Sequence, residues 1–294
     1  MFERIVVVTK RTKLEELLAR QSLGQVRFRL QSRGLSSIEY EREHEQYQRS
    51  LTALMAALPL TMPHVVVRRD NIPGFLFREQ DLVIAIGPDG LCVNVLKYLA
   101  GQPLLGINPD PLTVAGILMP YLTSQAIVAL PAILAGRYTC DETTMALAET
   151  NDGQKMLAVN DFLIGRRDHV SALYTLSKNG QHERQSSSGV LIATGVGSSG
   201  WLRSILTGAT GLTNGKPIIN VPWNWDEPQL FFVVREPFQT RHTKSTIIWG
   251  GITAEERLVI TSEMPEGGAI ISDGIVEDAI DFTSGTTVTI GISP

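Results

Sequence analysis

The stretch Leu82-Val-Ile-Ala-Ile86 runs straight into Gly87-Pro88-Asp89-Gly90 and then into an apolar segment at 91–99 that stops before Gly101. No other junction limits the fold so tightly. Residues 82–86 are short, apolar, rich in β-branching and bounded by polar and turn residues, which predicts a buried strand. The segment that follows is helix-compatible, so the chain passes from strand to helix through one tight turn that carries one carboxylate. In an open α/β sheet such a turn lies at the carboxyl end of a strand, where ligands bind. Backbone N–H groups at the start of the next helix favour an anion such as phosphate. Asp89 then stands beside a phosphate site, placed to act as a base or to help hold a metal.

The neighbouring segments extend this pattern. Residues 5–8, 64–67 and 104–107 read as further strands, separated by helix-like segments at 10–19 and 39–58, the latter ended by Pro59. The basic stretch 21–37, with Arg27, Arg29 and Arg33, reads as a solvated excursion. Strands alternating with helices predict an α/β domain with a parallel sheet. Beyond a helix at 121–134, expected to connect two domains, the pattern changes. Strands are expected at 138–148, 155–164, 171–177, 188–194, 229–234, 246–248, 257–261, 269–272 and 286–292. Hairpin chemistry is expected at Asn151-Asp-Gly153, Lys178-Asn-Gly180, Asn214-Gly215 and Glu266-Gly-Gly268. A chain of 294 residues has room for two domains. The boundaries read 1–124 for the α/β domain and 125–294 for the β-rich domain, with the last residues free to return to the first.

Composition excludes several classes. Hydrophobic residues make up 43% and charged residues 19%, the profile of an ordinary globular chain. The net charge of −4 gives no basic field for nucleic acid. No apolar run reaches the length of a membrane span, and the one near the N-terminus is too short for a signal peptide. Cys92 and Cys140 lack partners at metal-ligand spacing and read as free thiols in a reducing cytosol. The expectation is a cytoplasmic protein with no membrane and no nucleic-acid partner, and no protein-held metal.

Besides the Asp89 turn, three constellations carry polar chemistry. Asn160 and Asp161 follow a short apolar run, where an amide and a carboxylate together offer donors and acceptors to hydroxyls and ring nitrogens; an Asx turn explains the pair equally well. Thr194-Gly-Val-Gly-Ser198-Ser199-Gly200-Trp201 joins a strand to an apolar helical stretch. Its small residues allow close approach of a ligand, and Trp201 can stack on a flat ring. Ser272-Asp273-Gly274 closes a strand and also reads as a simple β-turn. The histidines at 44, 64, 169, 182 and 242 share no motif and read as surface or structural groups. Arg166, Arg167, Arg235 and Arg241 are candidate phosphate ligands, indistinguishable here from solvated charge.

In order and spacing these motifs resemble the NAD kinase family, within the superfamily that also holds diacylglycerol and sphingosine kinases. The family pattern is a Gly-Gly-Asp-Gly turn, an Asn-Glu pair and a Thr-Pro-Thr-Gly-Ser-Thr-Ala-Tyr-like segment. The chain looks most similar to the mitochondrial type, through Ile5-Val-Val-Val-Thr-Lys-Arg-Thr12, Gly106-Ile-Asn-Pro-Asp-Pro111, Asp161-Phe-Leu-Ile-Gly165, Ser187-Ser-Gly189 and Val234-Arg-Glu-Pro237. The resemblance implies a Rossmann-like α/β domain, a β-rich dinucleotide-binding domain, and a site in the cleft between them. The implied activity transfers the terminal phosphoryl of ATP to the 2′-hydroxyl of the adenosine ribose of NAD, giving NADP. Asp89 matches the family's general base, and Gly87 and Gly90 its phosphate-side turn. Asn160 and Asp161 match the pair that holds the dinucleotide. Ser199, Gly200, Trp201 and Ser204 match the Thr-Ala-Tyr segment and the small polar residue beyond it. Mg²⁺ is expected to arrive with the nucleotide, and a homodimer or higher homo-oligomer is expected, with Trp223 and Trp225 as exposed interface candidates.

The chain departs from the family at several positions, more on the donor side than on the dinucleotide side. Pro88 replaces a glycine and removes one N–H, Leu91 replaces a threonine, Val196 replaces a hydroxyl-bearing residue, and Asp161 is one methylene shorter than glutamate. Two other readings follow: a relative that binds a dinucleotide without turnover, or a kinase for another small hydroxyl substrate such as a sugar, nucleoside or lipid.

Overall fold

The structure, a computed structural model, describes residues 1–216 and 218–293. The chain divides into two compact units, Met1–Cys140 and Asp141–Pro294. The division falls later than the expected boundary at 124. The reason is the helix Thr123–Leu134, which buries Ala126, Leu130 and Ile133 in the first unit's core instead of bridging two domains.

The first unit contains β1 (Arg4–Thr9), α1 (Lys13–Leu18), α2 (Leu23–Ser32), α3 (Ser37–Ala57), β2 (His64–Arg68), β3 (Asp81–Ile86), α4 (Asp89–Leu96), β4 (Leu104–Asn108), β5 (Tyr121–Leu122) and α5 (Thr123–Leu134). Its five strands form one sheet in the order β2-β1-β3-β4-β5, parallel at each pairing. Strands covered on both faces read as continuous apolar runs, and β3 is buried at all six residues. Alternate side chains serve opposite faces. Ile5, Val7, Leu82, Ile84 and Ile86 pack with α3 and α5, while Val6, Val8, Val83 and Ala85 pack with Leu91, Cys92 and Val95 of α4. Cys92 is buried, and burial pushes its thiol up to about 12.

Part of the expected solvated excursion is helix. Ser22 and Gln25 close a capping box at the start of α2, and Val26 and Leu30 pack beside Leu14 of α1. Arg27 is spent on Glu41 at 2.9 Å.

The second unit holds β6 (Ala146–Thr150), β7 (Lys155–Ala158), β8 (Asp161–Arg166), β9 (Ala172–Lys178), β10 (Gln181–Ser187), β11 (Val190–Ala193), α6 (Trp201–Thr213), β12 (Gln229–Val234), β13 (Trp249–Thr253), β14 (Leu258–Ser262), β15 (Gly268–Ser272), β16 (Ile275–Asp281) and β17 (Thr287–Ile292). Two six-stranded antiparallel sheets, β10-β9-β14-β17-β6-β7 and β13-β12-β11-β8-β15-β16, face each other across one core. Tyr174, Leu176, Ile260 and Ile290 come from one sheet, and Phe162, Ile192, Phe232 and Ile270 from the other. β17 pairs inside this unit, so the last strand does not return to the first.

Several expected elements differ. Residues 138–145 are irregular, and the strand begins at Ala146. The single strand expected over 155–164 is two strands, in different sheets. Residues 246–248 are not a strand; the Glu183 carboxylate accepts from the Thr246 hydroxyl and from the amides of Thr246 at 2.8 Å and Ile247 at 3.4 Å. Asn214 does not turn a hairpin but ends α6 in the left-handed conformation, at φ 51°.

Candidate functional site

In the first unit, the β3–α4 turn forms as the sequence demands. Pro88 is the N-cap of α4, with extended backbone and no side-chain cap, and its carbonyl accepts from Leu91 N at 2.8 Å. Proline is tolerated there because a helix start has N–H groups without intrahelical partners in any case. Asp89 is the first helical residue and half-buried. Its Oδ1 accepts from Leu118 N at 2.9 Å and its Oδ2 from Ile117 N at 3.1 Å. The carboxylate is thus fixed in orientation by the loop after β4, and a carboxylate that accepts two bonds keeps further lone pairs for a ligand.

That loop is itself pinned. The Asn108 side chain donates to Val114 O at 2.9 Å and accepts from Asp110 N at 3.0 Å. Gly116 adopts φ +67°, and a Cβ there would stand 2.4 Å from Asn108 Nδ2, so only glycine lets the loop reach Asp89. The motif around Asn108 therefore positions the carboxylate from across the sheet end. A cavity of about 590 Å³ opens beside the turn, lined by Gly87, Pro88, Tyr47, Lys10, Lys13 and Arg42 among others. The Tyr47 hydroxyl accepts from Lys10 N at 3.2 Å and donates to Ile86 O at 3.3 Å, and burial raises it to about 12. It ties together the carboxyl ends of β1 and β3.

In the second unit, three constellations meet at one corner. Val159 and Asn160 carry the chain from β7 in one sheet to β8 in the other. Asp273, at φ 54° in the β15–β16 turn, accepts from the amides of Val159 at 3.2 Å, Asn160 at 2.7 Å and Asp161 at 3.3 Å. This is why the expected single strand breaks: one carboxylate collects three amides that would otherwise pair along a sheet. Thr194, just past β11, donates its amide to Asn160 O at 2.9 Å and its hydroxyl to Val159 O. Its oxygen accepts from Gly197 N at 3.2 Å. A Cβ on Gly197 would lie 2.0 Å from Asn160 O, so the glycine-rich segment touches the Asn-Asp pair directly.

Asp161 is only 9% exposed. It points away from the face where Phe162 joins the sandwich core, on the side shared by Ala193, its cross-strand neighbour, and the cluster under α6. Burial, and then the nearby Asp273 charge, raise its carboxyl to about 7. At neutral pH it is therefore able to donate as well as accept.

Ser199, Gly200, Trp201 and Ser204 lie around the start of α6 and are exposed. Ser204 bonds back to Gly200 O through both its amide (3.2 Å) and its hydroxyl (3.3 Å). The Arg235 guanidinium lies over the Trp201 ring, 4.8 Å from its centroid. Two of the other candidate arginines are spent on surface pairs, Arg166 with Asp168 at 2.6 Å and Arg167 with Asp281 at 3.0 Å. His44 bonds Thr12 and His182 bonds Ser177, structural contacts as expected. Trp223 and Trp225 are not exposed as expected. Both are half-buried; Trp223 packs on the cluster under α6, and the Trp225 carbonyl accepts from Thr144 N.

The expected site residues thus fall into two sets, Gly87, Asp89 and Gly90 in the first unit and Asn160, Asp161, Ser199, Gly200, Trp201 and Ser204 in the second. Sequence reasoning missed Lys10, Tyr47 and the organising role of Asp273. The signals for Lys10 were its place directly after a strand of the parallel sheet and its presence in the stretch Ile5–Thr12. Among the described residues no group of three or more His, Cys, Asp or Glu could hold a metal ion.

No family model matches the chain. It is 30% identical over 148 residues to the NAD kinase of Psychrobacter arcticus, covering 48% of this chain and 42% of that protein. It is 29% identical over 153 residues to the NAD kinase of Hydrogenovibrio crunogenus, covering 49% and 48%. Over about half its length the chain is similar in sequence to NAD kinases. It spans about half the length of the curated relatives it matches. Among solved structures, it is similar in fold over 99% of its length to an NAD kinase from Archaeoglobus fulgidus in complex with ATP, with TM-score 0.56 and 18% identity, covering 90% of that chain. A yeast NADH kinase complexed with NADH matches over 100% of this chain and 81% of its own, with TM-score 0.61 and 13% identity. The two-unit architecture is therefore that of NAD kinases. No helix among the described residues is long and apolar enough to cross a membrane.

Proposed function

We infer that the chain is an NAD kinase-like phosphotransferase that carries the terminal phosphoryl of ATP, or of another donor, to the 2′-hydroxyl of the adenosine ribose of NAD. The observation that carries this reading is the Asp89 carboxylate, held at the carboxyl end of β3 by the Ile117 and Leu118 amides with lone pairs to spare. Phosphoryl transfer passes through a loose transition state, so positioning and charge neutralisation matter more than a strong base. Asp89 would accept the hydroxyl proton as the bond to phosphorus forms. Asn160 and Asp161 would hold the dinucleotide, with Trp201 as an aromatic face. Curated relatives that are NAD kinases, and fold relatives solved with ATP and with NADH, support both substrates. Among the described residues no group of three or more His, Cys, Asp or Glu could hold a metal ion; Mg²⁺ would come as the nucleotide's counter-ion. A cytoplasmic location and a homo-oligomer belong to the same reading.

A second reading, dinucleotide binding without turnover, is favoured by Pro88, which offers no N–H to a donor phosphate. NADP formation with NAD, Mg²⁺ and ATP, other nucleoside triphosphates or polyphosphate separates the two. Turnover that disappears in Asp89→Asn establishes the kinase. NAD binding by calorimetry without turnover on any donor establishes the binding protein instead.

A further inference from the structure

Three cationic side chains line the cavity beside the Gly87-Pro88 turn, and they are not equivalent. Lys13 Nζ lies 3.4 Å from Glu43, and the Arg42 guanidinium lies 3.4 Å from Asp110. Lys10 lines the same cavity, yet among the described residues it makes no ion pair. It is half-buried rather than waving in solvent. Its backbone is fixed by Tyr47, whose hydroxyl also bonds the last residue of β3. Its stem runs along the turn: a Cβ built on Gly87 would stand 3.7 Å from Lys10 Cγ.

A half-buried ammonium without an ion pair, in a cavity whose Glu43 and Asp110 are taken by Lys13 and Arg42 and whose remaining carboxylate is the exposed Glu39, calls for an anion. The geometry beside it narrows which one. The first amides of α4, on Asp89 and Gly90, have no carbonyl one turn back to bond, and a helix start attracts phosphate. Pro88 leaves this turn one donor short, and Lys10 lines the same cavity as Pro88. The cavity volume of about 590 Å³ falls within the ordinary range for a small-molecule site.

We propose that Lys10 is a phosphate-contacting residue for the phosphoryl donor, its ammonium supplying the charge-assisted hydrogen bond that the Pro88 turn cannot. The identity of the reaction rests on the NAD kinase reading, but the contact itself is with a polyphosphate chain. The donor class is accordingly a nucleoside triphosphate or an inorganic polyphosphate. Lys10 serves the donor and not NAD, so its loss separates the two substrates kinetically.

The test uses the full chain with Lys10→Met, which keeps the stem, and Lys10→Arg, which keeps the charge. With NAD saturating, Lys10→Met is expected to raise the donor KM by roughly 10- to 100-fold, the worth of one charge-assisted hydrogen bond. The KM for NAD should stay within about threefold, and Lys10→Arg should recover most of the loss. A donor KM unchanged in Lys10→Met, or an equal rise in both KM values, overturns the proposal. Should the wild type form no NADP, the kinase reading fails, but calorimetry with ATP and with inorganic tripolyphosphate still decides the contact. Binding that is present in the wild type and lost in Lys10→Met, at an unchanged melting temperature, upholds it. Equal binding by both proteins, or none by the wild type, overturns it.

Discussion

The candidate residues of the two units are held on different principles. In the first unit the Asp89 turn borders an open cavity, and its chemistry depends on side chains: one carboxylate steered by two amides and three lysine and arginine heads around a rim. In the second unit the Asn160 corner is closed, and its shape depends on backbone: Asp273 gathers three amides, and Gly197 leaves no space for a Cβ against Asn160 O. The first can therefore tolerate an altered turn, and it carries one at Pro88. The second cannot give by even one methyl group.

The largest test of this contrast is functional. Asp89→Asn keeps the turn's shape and should lower phosphoryl transfer by about 10²–10⁴-fold, the usual contribution of a general base, with NAD affinity within about threefold by calorimetry. A variant of full activity removes Asp89 from the chemistry. The next test is structural. Gly197→Ala forces a Cβ to within 2.0 Å of Asn160 O, and should cost about 3 kcal/mol or more in denaturant unfolding. Gly90→Ala, with nothing within 4 Å of its Cβ, should leave stability within about 1 kcal/mol. Similar effects at the two glycines would erase the distinction between the units.

A third test reads the charge stored in the closed corner. The Asp161 carboxyl is raised to about 7 in the folded protein, against an ordinary 3.8, so the folded state holds a proton that the unfolded chain has released. Stability is therefore lost as pH rises between these values. Asp161→Asn cannot ionise and should gain on the wild type by about 2–4 kcal/mol between pH 4 and pH 8. A constant difference across that range would show that Asp161 titrates normally. The smallest effect lies in the open turn, where Pro88→Gly restores one N–H and should improve kcat/KM for the donor by about tenfold. No change would mean that no phosphate oxygen reaches that amide.

What could be read from the chain follows the same division. The strands of the parallel sheet were legible because burial on both faces writes them as unbroken apolar runs, as in β3. Two polar strands at sheet edges were not. β10, with the sequence QHERQSS, and β16, with its Glu277 and Asp278, are polar because one side meets solvent and no strand pairs beyond them. The corner at Val159 was read through as one strand although Asn160 and Asp161 interrupt its apolar run, because the carboxylate that holds the break, Asp273, lies more than a hundred residues away. The motif residues themselves were legible from order and spacing. Tyr47 and Lys10 were not, since what matters about them is a contact with Ile86 in one case and a missing carboxylate in the other.

The passage of the chain from one sheet to the other at Val159 and Asn160 also makes the corner a shared seam. A molecule that settles on Asn160 sits on the two-residue link between Ala158, the last residue of β7, and Asp161, the first of β8, so neither strand end can fray there without disturbing its seat. Occupancy should then slow amide exchange in β7 and β8 together, and the two faces of the sandwich would respond to ligand as one cooperative body.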